Sequence, residues 1–142
     1  MHSDFLTFRL DQTSALLMER ANAVYRERWD LDVRAMRVLR IIRAEPGITP
    51  KAVSQRALIE KTLLSKMLGE LESRGLIGRG THAADRRSVT LRVTPEGLKV
   101  ANASEKAGSK LESELAAALT DQERKTLDQL LAKLARSLTE GV

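Results

Sequence analysis

One short segment with a period of two stands among patterns that otherwise repeat as helices do. Val89, Leu91 and Val93 alternate with polar residues, which is typical of a half-buried β-strand. A partner strand is predicted at 77–81, with the segment 82–86 as the turn between the two strands. The chain must therefore fit one small antiparallel hairpin into a fold built mainly from helices.

Helices are predicted on both sides of this hairpin. Apolar periodicity, together with start and stop signals, places them at about 10–28, 33–44, 50–56, 61–73, 95–119 and from 120 to about 138. Thr49 followed by Pro50 marks a helix start, because a proline at the first helical position gives up only an N–H that has no partner there. The segment from Thr120 to Glu123 is a capping box. We expect a mainly α fold with a small β-hairpin.

Composition removes several classes of function. The 142 residues include no cysteine and only two histidines, which excludes disulfides and thiolate metal sites and argues against structural zinc. No catalytic, phosphate-binding or dinucleotide-binding motif is present, so we expect neither an enzyme nor a cofactor. The amino terminus lacks the pattern of a signal peptide and no apolar run is long enough for a membrane span. We therefore expect a cytoplasmic protein.

Positive charge is concentrated in the middle of the chain. Residues 34–92 carry 13 basic and 5 acidic side chains, whereas residues 1–33 and 93–142 have a small acidic excess. A polyanion such as DNA would be attracted to this middle region. Charge alone leaves a solvated basic surface as an equal alternative.

The predicted helix 61–73 has two faces of different character. One face is apolar and expected to be buried, and it consists of Leu64, Met67, Leu68 and Leu71. The other face is small, polar and basic, and it consists of Thr62, Ser65, Lys66 and Gly69. Such a surface can lie close against a partner without steric obstruction.

Two short helices joined by a tight turn and followed by a hairpin form a winged helix-turn-helix. This DNA-reading fold places its second helix, here 61–73, in the major groove, where short polar side chains reach base edges. The tip of the hairpin carries Arg86 and Arg87, which would then reach the neighbouring minor groove. For the hairpin alone, an exposed turn that happens to be charged is the alternative.

The segment 85–97, Asp-Arg-Arg-Ser-Val-Thr-Leu-Arg-Val-Thr-Pro-Glu-Gly, resembles the wing signature of the multiple antibiotic resistance regulator (MarR) family. In that signature, Asp-x-Arg is followed after five residues by Leu-Thr-x-x-Gly. The matching positions are Asp85, Arg87, Thr94 and Gly97. Val93 replaces the usual leucine, and the segment 64–79 resembles the family's recognition helix and its run into the wing.

This resemblance implies a homodimeric transcription regulator, usually a repressor. Such a regulator binds a near-palindromic operator in double-stranded DNA and releases it when a small molecule, often an aromatic acid, binds. The resemblance gives Arg87 the minor-groove role and Asp85 the role of its orienting partner. The DNA-binding residues that we predict are Thr49, Lys61, Thr62, Ser65, Lys66, Arg79, Asp85, Arg86 and Arg87. A protein-interaction module with this fold that no longer reads DNA is the alternative.

The flanking helices carry apolar stripes that one winged unit cannot cover. We expect a single domain over 1–142, with 33–95 as the DNA-binding region and with 1–32 and 96–142 as dimerisation helices. The stripes alone leave an intramolecular bundle open as an alternative to the dimer.

Three residues are candidates for an effector pocket, which the family places between the dimerisation helices and the DNA-reading region. Tyr25 and Trp29 lie one turn apart, and with Met36 they could line that pocket, although core packing is the alternative. The arginines at 34, 37, 40 and 43 fall on every third position of one helix. We predict that they form a solvated face, with contact to DNA phosphates as the alternative.

Overall fold

The fold is known from a computed structural model that describes residues 5–82 and 85–140, without the side chains of residues 82–88. Within these residues the elements are α1 Leu6–Trp29, α2 Val33–Ala44, α3 Pro50–Ala57, α4 Lys61–Ser73, β1 Ile77–His82, β2 Asp85–Val93, α5 Pro95–Leu115 and α6 Asp121–Glu140. The mainly α fold with a hairpin is confirmed, and the predicted bounds of α2 and α4 agree with the structure. The prediction extended α5 too far, because the chain turns after Leu115.

The hairpin is antiparallel and longer than the sequence predicts. Ile77 lies opposite Val93, and the regular register continues until an irregularity after Thr81. Beyond it, His82 lies opposite Asp85, so the predicted turn at 82–86 is too wide. Asp85 already belongs to a strand because its backbone continues the pairing across from β1.

The hairpin is anchored to the connection between α2 and α3. The Gly47 N–H donates to the Leu91 carbonyl at 2.8 Å, and the Leu91 N–H donates to the Ile48 carbonyl at 2.9 Å. Leu91 and Ile48 are both buried. The start of α3 and the middle of β2 therefore form one rigid junction.

The apolar core lies among α2, α3, α4 and the hairpin. Its fully buried side chains include Met36, Val38, Leu39, Ile42, Val53, Leu64, Leu68, Leu71 and Leu91. All four residues that the sequence assigned to the apolar face of α4 are buried. Burial of each such side chain stabilises the fold by roughly 1.5–3 kcal/mol, so the orientation of α4 about its own axis is firmly set.

Side-chain caps mark the starts of α2, α3 and α6. The Asp32 carboxylate accepts from the Ala35 N–H at 2.8 Å, and the Thr49 hydroxyl accepts from the Ala52 N–H at 3.2 Å. The capping box before α6 is confirmed, since the Glu123 N–H donates to the Thr120 hydroxyl and the Thr120 N–H donates to the Glu123 carboxylate. Each cap satisfies a backbone N–H that a helix start leaves without a partner.

Helices α1 and α6 leave most of their apolar residues exposed. On α1 only Tyr25 is buried, and α6 contains no buried residue. Chain contacts divide the molecule into two compact units, Met1–Ala107 and Gly108–Val142. Within the second unit, an Arg124 guanidinium N–H donates to the Glu112 carboxylate at 3.4 Å, which joins α6 to the end of α5. No helix in the described part of the chain combines the length and apolarity of a membrane span.

Candidate nucleic-acid interface

The outward face of α4 is the centre of the candidate interface. Because the apolar face of α4 is buried, the opposite face is presented outward, and its exposed members are Lys61, Thr62, Ser65, Lys66 and Gly69. The first turn carries Lys61 and Thr62, and the Glu60 carboxylate accepts from the Thr62 N–H at 3.3 Å. A helix start with short polar and basic side chains has the shape and charge to enter the major groove of DNA.

The hairpin is held at its foot by a compact joint between β1 and α5. The Thr94 hydroxyl donates to the Gly75 carbonyl at 2.6 Å and accepts from the Gly97 N–H at 3.0 Å. The Thr94 N–H donates to the Leu76 carbonyl at 3.0 Å. A Cβ on Gly97 would lie 1.9 Å from the Leu76 carbonyl oxygen. The Thr-x-x-Gly part of the sequence motif is therefore a joint that allows α5 to start directly against the β1 backbone.

The predicted wing residues lie partly beyond what the structure describes. The backbone places Asp85 at the start of β2, whereas the side chains of Asp85, Arg86 and Arg87 lie outside the described residues. Arg79 lies on β1, and its Nε is 3.1 Å from a Glu72 carboxylate oxygen. This ion pair ties the hairpin to α4 and partly neutralises the charge that Arg79 could offer to a phosphate.

The remaining predicted contact residue, Thr49, is exposed and caps α3. Its hydroxyl is already an acceptor for the Ala52 N–H, so the hydroxyl proton is available to a further partner. The assignment of these residues to a DNA interface stays a prediction.

Arg74 is a positioning residue that the sequence did not reveal. Its guanidinium donates to the carbonyls of Trp29 at 2.5 Å and Asp30 at 2.6 Å. These carbonyls belong to the end of α1, whereas Arg74 directly follows α4. The sequence gives no signal for this role, because both partners of Arg74 lie more than forty positions away along the chain.

Comparison with known proteins places this geometry in a family. The family model described as the MarR family matches residues 29–88. The transcriptional regulator HosA of Escherichia coli is 34% identical over 105 residues, which cover 74% of this chain and 78% of HosA. The chain belongs to the MarR family of transcription regulators.

A second relative of this MarR-family chain is a transcriptional regulatory protein assigned to the hcr operon of Thauera aromatica. It is 33% identical over 103 residues, which cover 72% of this chain and 62% of that protein. The alignment thus spans less than two thirds of the Thauera protein. Since both relatives are transcription regulators, the comparisons support regulation of transcription and not enzymatic activity.

Solved structures of MarR-family proteins share the fold. The reduced form of MarR from Escherichia coli superposes with a TM-score of 0.80 at 27% identity, covering 92% of this chain and 96% of that one. FabT of Streptococcus pneumoniae, in complex with DNA, gives 0.76 at 19% identity and covers 96% and 97%. PcaV of Streptomyces coelicolor, in complex with its natural ligand, gives 0.75 at 24% identity and covers 94% and 91%. At these identities FabT and PcaV establish the fold alone.

In this MarR-family chain, two arginines of α2 depart from the solvated face that the sequence predicted. Arg40 donates to the Tyr25 hydroxyl at 3.3 Å and to the buried Ser104 hydroxyl at 3.1 Å. Arg43 bonds the Asn102 amide oxygen at 2.9 Å and forms an ion pair with Glu105. The prediction is wrong for both residues, because their side chains are held between helices. Arg34 is exposed as predicted, and Arg37 is exposed while its guanidinium donates to the Ala57 carbonyl of α3 at 3.5 Å.

The candidate effector residues lie close together near the end of α1 and in α2. The Tyr25 and Trp29 rings are 5.8 Å apart between centroids. Tyr25 and Met36 are buried and Trp29 is partly buried against the core. A groove of about 570 Å³ lies along the preceding turns of α1, and its lining includes Met18, Asn22, Arg26, Asp32 and Arg34 but none of the three candidates. The assignment of these candidates to an effector pocket stays a prediction.

Proposed function

We propose that this protein is a homodimeric repressor that binds a near-palindromic operator and releases it when an aromatic acid binds. The observation that carries the proposal is the outward face of α4, which is exposed, small, polar and basic, while the opposite face anchors the helix in the core. Because the helix cannot rotate without exposing its apolar residues, this face is a fixed surface for a partner.

DNA suits that surface better than other partners do. Lys61 and Lys66 offer charge to phosphates, whereas Thr62 and Ser65 can donate and accept hydrogen bonds at base edges. The region from 34 to 92 has a net charge of +8, which favours association with a polyanion. FabT, which shares the fold, has been crystallised with DNA.

The domain assignment follows the same division. We propose that 33–95 reads DNA and that 1–32 and 96–142 join two copies. Support comes from the apolar side chains that α1 and α6 leave exposed, since an apolar surface of this kind marks a protein contact.

The decisive experiment removes the wing arginine. Arg87→Ala should weaken binding to an operator selected from random DNA by about 1–3 kcal/mol, or roughly 5- to 150-fold, because a groove contact is lost. Arg136→Ala, which removes an exposed arginine of α6, is the control and should leave the affinity unchanged. Gel-shift titration gives the affinities, and circular dichroism verifies the fold. Equal affinities for wild type and Arg87→Ala, or indifference to all DNA at low salt, would favour the protein-interaction module instead.

Ligand release can be followed through the single tryptophan. Trp29 is the only tryptophan of the chain, and it contacts the Tyr25 ring. Titration with benzoate and its mono- and dihydroxy derivatives should change Trp29 fluorescence and lower operator affinity over the same concentrations. PcaV, which shares the fold, has been crystallised with its natural ligand. If no compound in the series changes either signal, the aromatic-acid part of the proposal is wrong.

A further inference from the structure

Leu58 has an unusual environment for a large apolar residue. It lies in the turn between α3 and α4, and 88% of its surface is exposed. No other large apolar side chain in the described part of the chain is as exposed. Its backbone is left-handed, with φ 57° and ψ 44°, a conformation that favours glycine over residues with a Cβ.

The fold imposes this conformation on Leu58. Its N–H donates to the Ser54 carbonyl as the cap of α3, and the Ile59 N–H donates to the same carbonyl at 3.2 Å. The Ser54 hydroxyl in turn donates to the Ile59 carbonyl at 2.6 Å. Ala57 and Ile59 on either side are buried. The turn is therefore locked from both ends, and the side chain of Leu58 must project outward.

The folded monomer gains little stability from this leucine. Its side chain buries almost no surface, so it contributes little hydrophobic stabilisation, while the left-handed backbone disfavours it relative to glycine. The apolar faces of α1 and α6 do not explain it, since it belongs to neither helix. A partner that contacts the helix-turn-helix turn would explain it.

The surroundings of Leu58 indicate the kind of partner. Between 33 and 95, the other large apolar residue whose described side chain is exposed is Leu63, in the first turn of α4 at 38%. In the sequence the two leucines flank Lys61 and Thr62, so two exposed apolar side chains accompany the basic and polar groups at the start of α4. In the major groove of DNA, the C5-methyl group of thymine presents an apolar edge beside phosphates and hydrogen-bonding groups.

We propose that Leu58 contacts the methyl group of one thymine in each operator half-site and thereby contributes to sequence specificity. The inference rests on the proposed function, because it requires that α4 enter the major groove by its first turn. It adds an apolar contact, made by a residue outside the recognition helix, to the polar contacts of Thr62 and Ser65.

The test removes single methyl groups from the DNA. Each thymine of a selected operator is replaced in turn by deoxyuridine, which lacks only the C5-methyl group, and affinities are measured for wild type and Leu58→Gly. For wild type, one replacement per half-site should lower affinity about fourfold per site. Leu58→Gly should bind the thymine and deoxyuridine forms of that site equally. Its melting temperature should equal or exceed that of wild type, which shows that the variant folds.

The outcomes separate this inference from the proposed function. The inference is overturned if wild type tolerates every deoxyuridine, or if Leu58→Gly discriminates against deoxyuridine as wild type does. In either case, a protein that still needs Arg87 for operator binding retains its proposed function. Failure to select any operator would overturn both. Leu63→Ala, analysed in the same way, shows whether a second methyl contact belongs to the neighbouring leucine.

Discussion

Gly97 shows how the absence of a side chain can position a whole wing. The first turn of α5 lies so close to the Leu76 carbonyl that a Cβ at Gly97 would overlap it at 1.9 Å. The contact atom is backbone and is held by its own hydrogen bond from Thr94, so it cannot move aside as a flexible side chain could. Glycine is therefore required here by packing, and the left-handed backbone that often requires glycine is not involved.

Gly97→Ala should consequently destabilise the protein by at least about 2 kcal/mol, through overpacking against a fixed backbone. Gly69→Ala is the matched control, since nothing lies within 4 Å of its Cβ position in the interior of α4. That change should stabilise the protein by about 0.5–1 kcal/mol, because alanine is the better helix former. Urea denaturation midpoints measure both effects. A Gly97→Ala variant as stable as wild type would show that the joint between β1 and α5 is looser than described.

Among the helices and strands, sequence periodicity predicted the features that depend on neighbouring residues. It did not predict contacts that form only when distant segments fold together. The apolar face of α4, the bounds of α2 and the capping box before α6 were all predictable, because each depends on residues within a few positions of one another. The hairpin turn was predicted too wide, since turn residues can also pair across strands, as Asp85 does.

The contacts that arginines make between helices could not be predicted from the sequence. A spacing of three positions on α2 suggested a solvated face, yet Arg40 reaches Ser104 across 64 positions of sequence. Arg74 reaches the end of α1 in the same manner. Long side chains bury their stems and carry donors far from their own backbone, so charge periodicity alone cannot distinguish them from exposed arginines. The left-handed backbone of Leu58 was also hidden, because leucine is not a residue that signals such a turn.

At the scale of the whole molecule, helices α1 and α6 expose many large apolar residues when a single chain is considered. On α1 they include Leu6, Leu10 and Leu17, and on α6 they include Leu127, Leu130, Leu131 and Leu138. Exposed single leucines are common on protein surfaces, but a row along one helix marks a contact surface. A symmetric dimer would cover these rows and would present two α4 helices to half-sites one turn of DNA apart, roughly 34–36 Å.

Leu131→Lys tests the dimer directly. A charge placed in the apolar row of α6 would have to be desolvated in the interface, so association should weaken at least tenfold. Gln129→Lys adds the same side chain on the opposite face of α6 and is the control. Sedimentation equilibrium should give wild type and Gln129→Lys twice the chain mass of 15.8 kDa, and Leu131→Lys a mass that falls towards one chain on dilution.

Since two half-sites are then no longer bound together, operator affinity should fall with it, whereas a single half-site should bind each protein equally. A wild-type protein that sediments as one chain at micromolar concentration, or a Leu131→Lys variant that stays dimeric, would contradict an α6 interface.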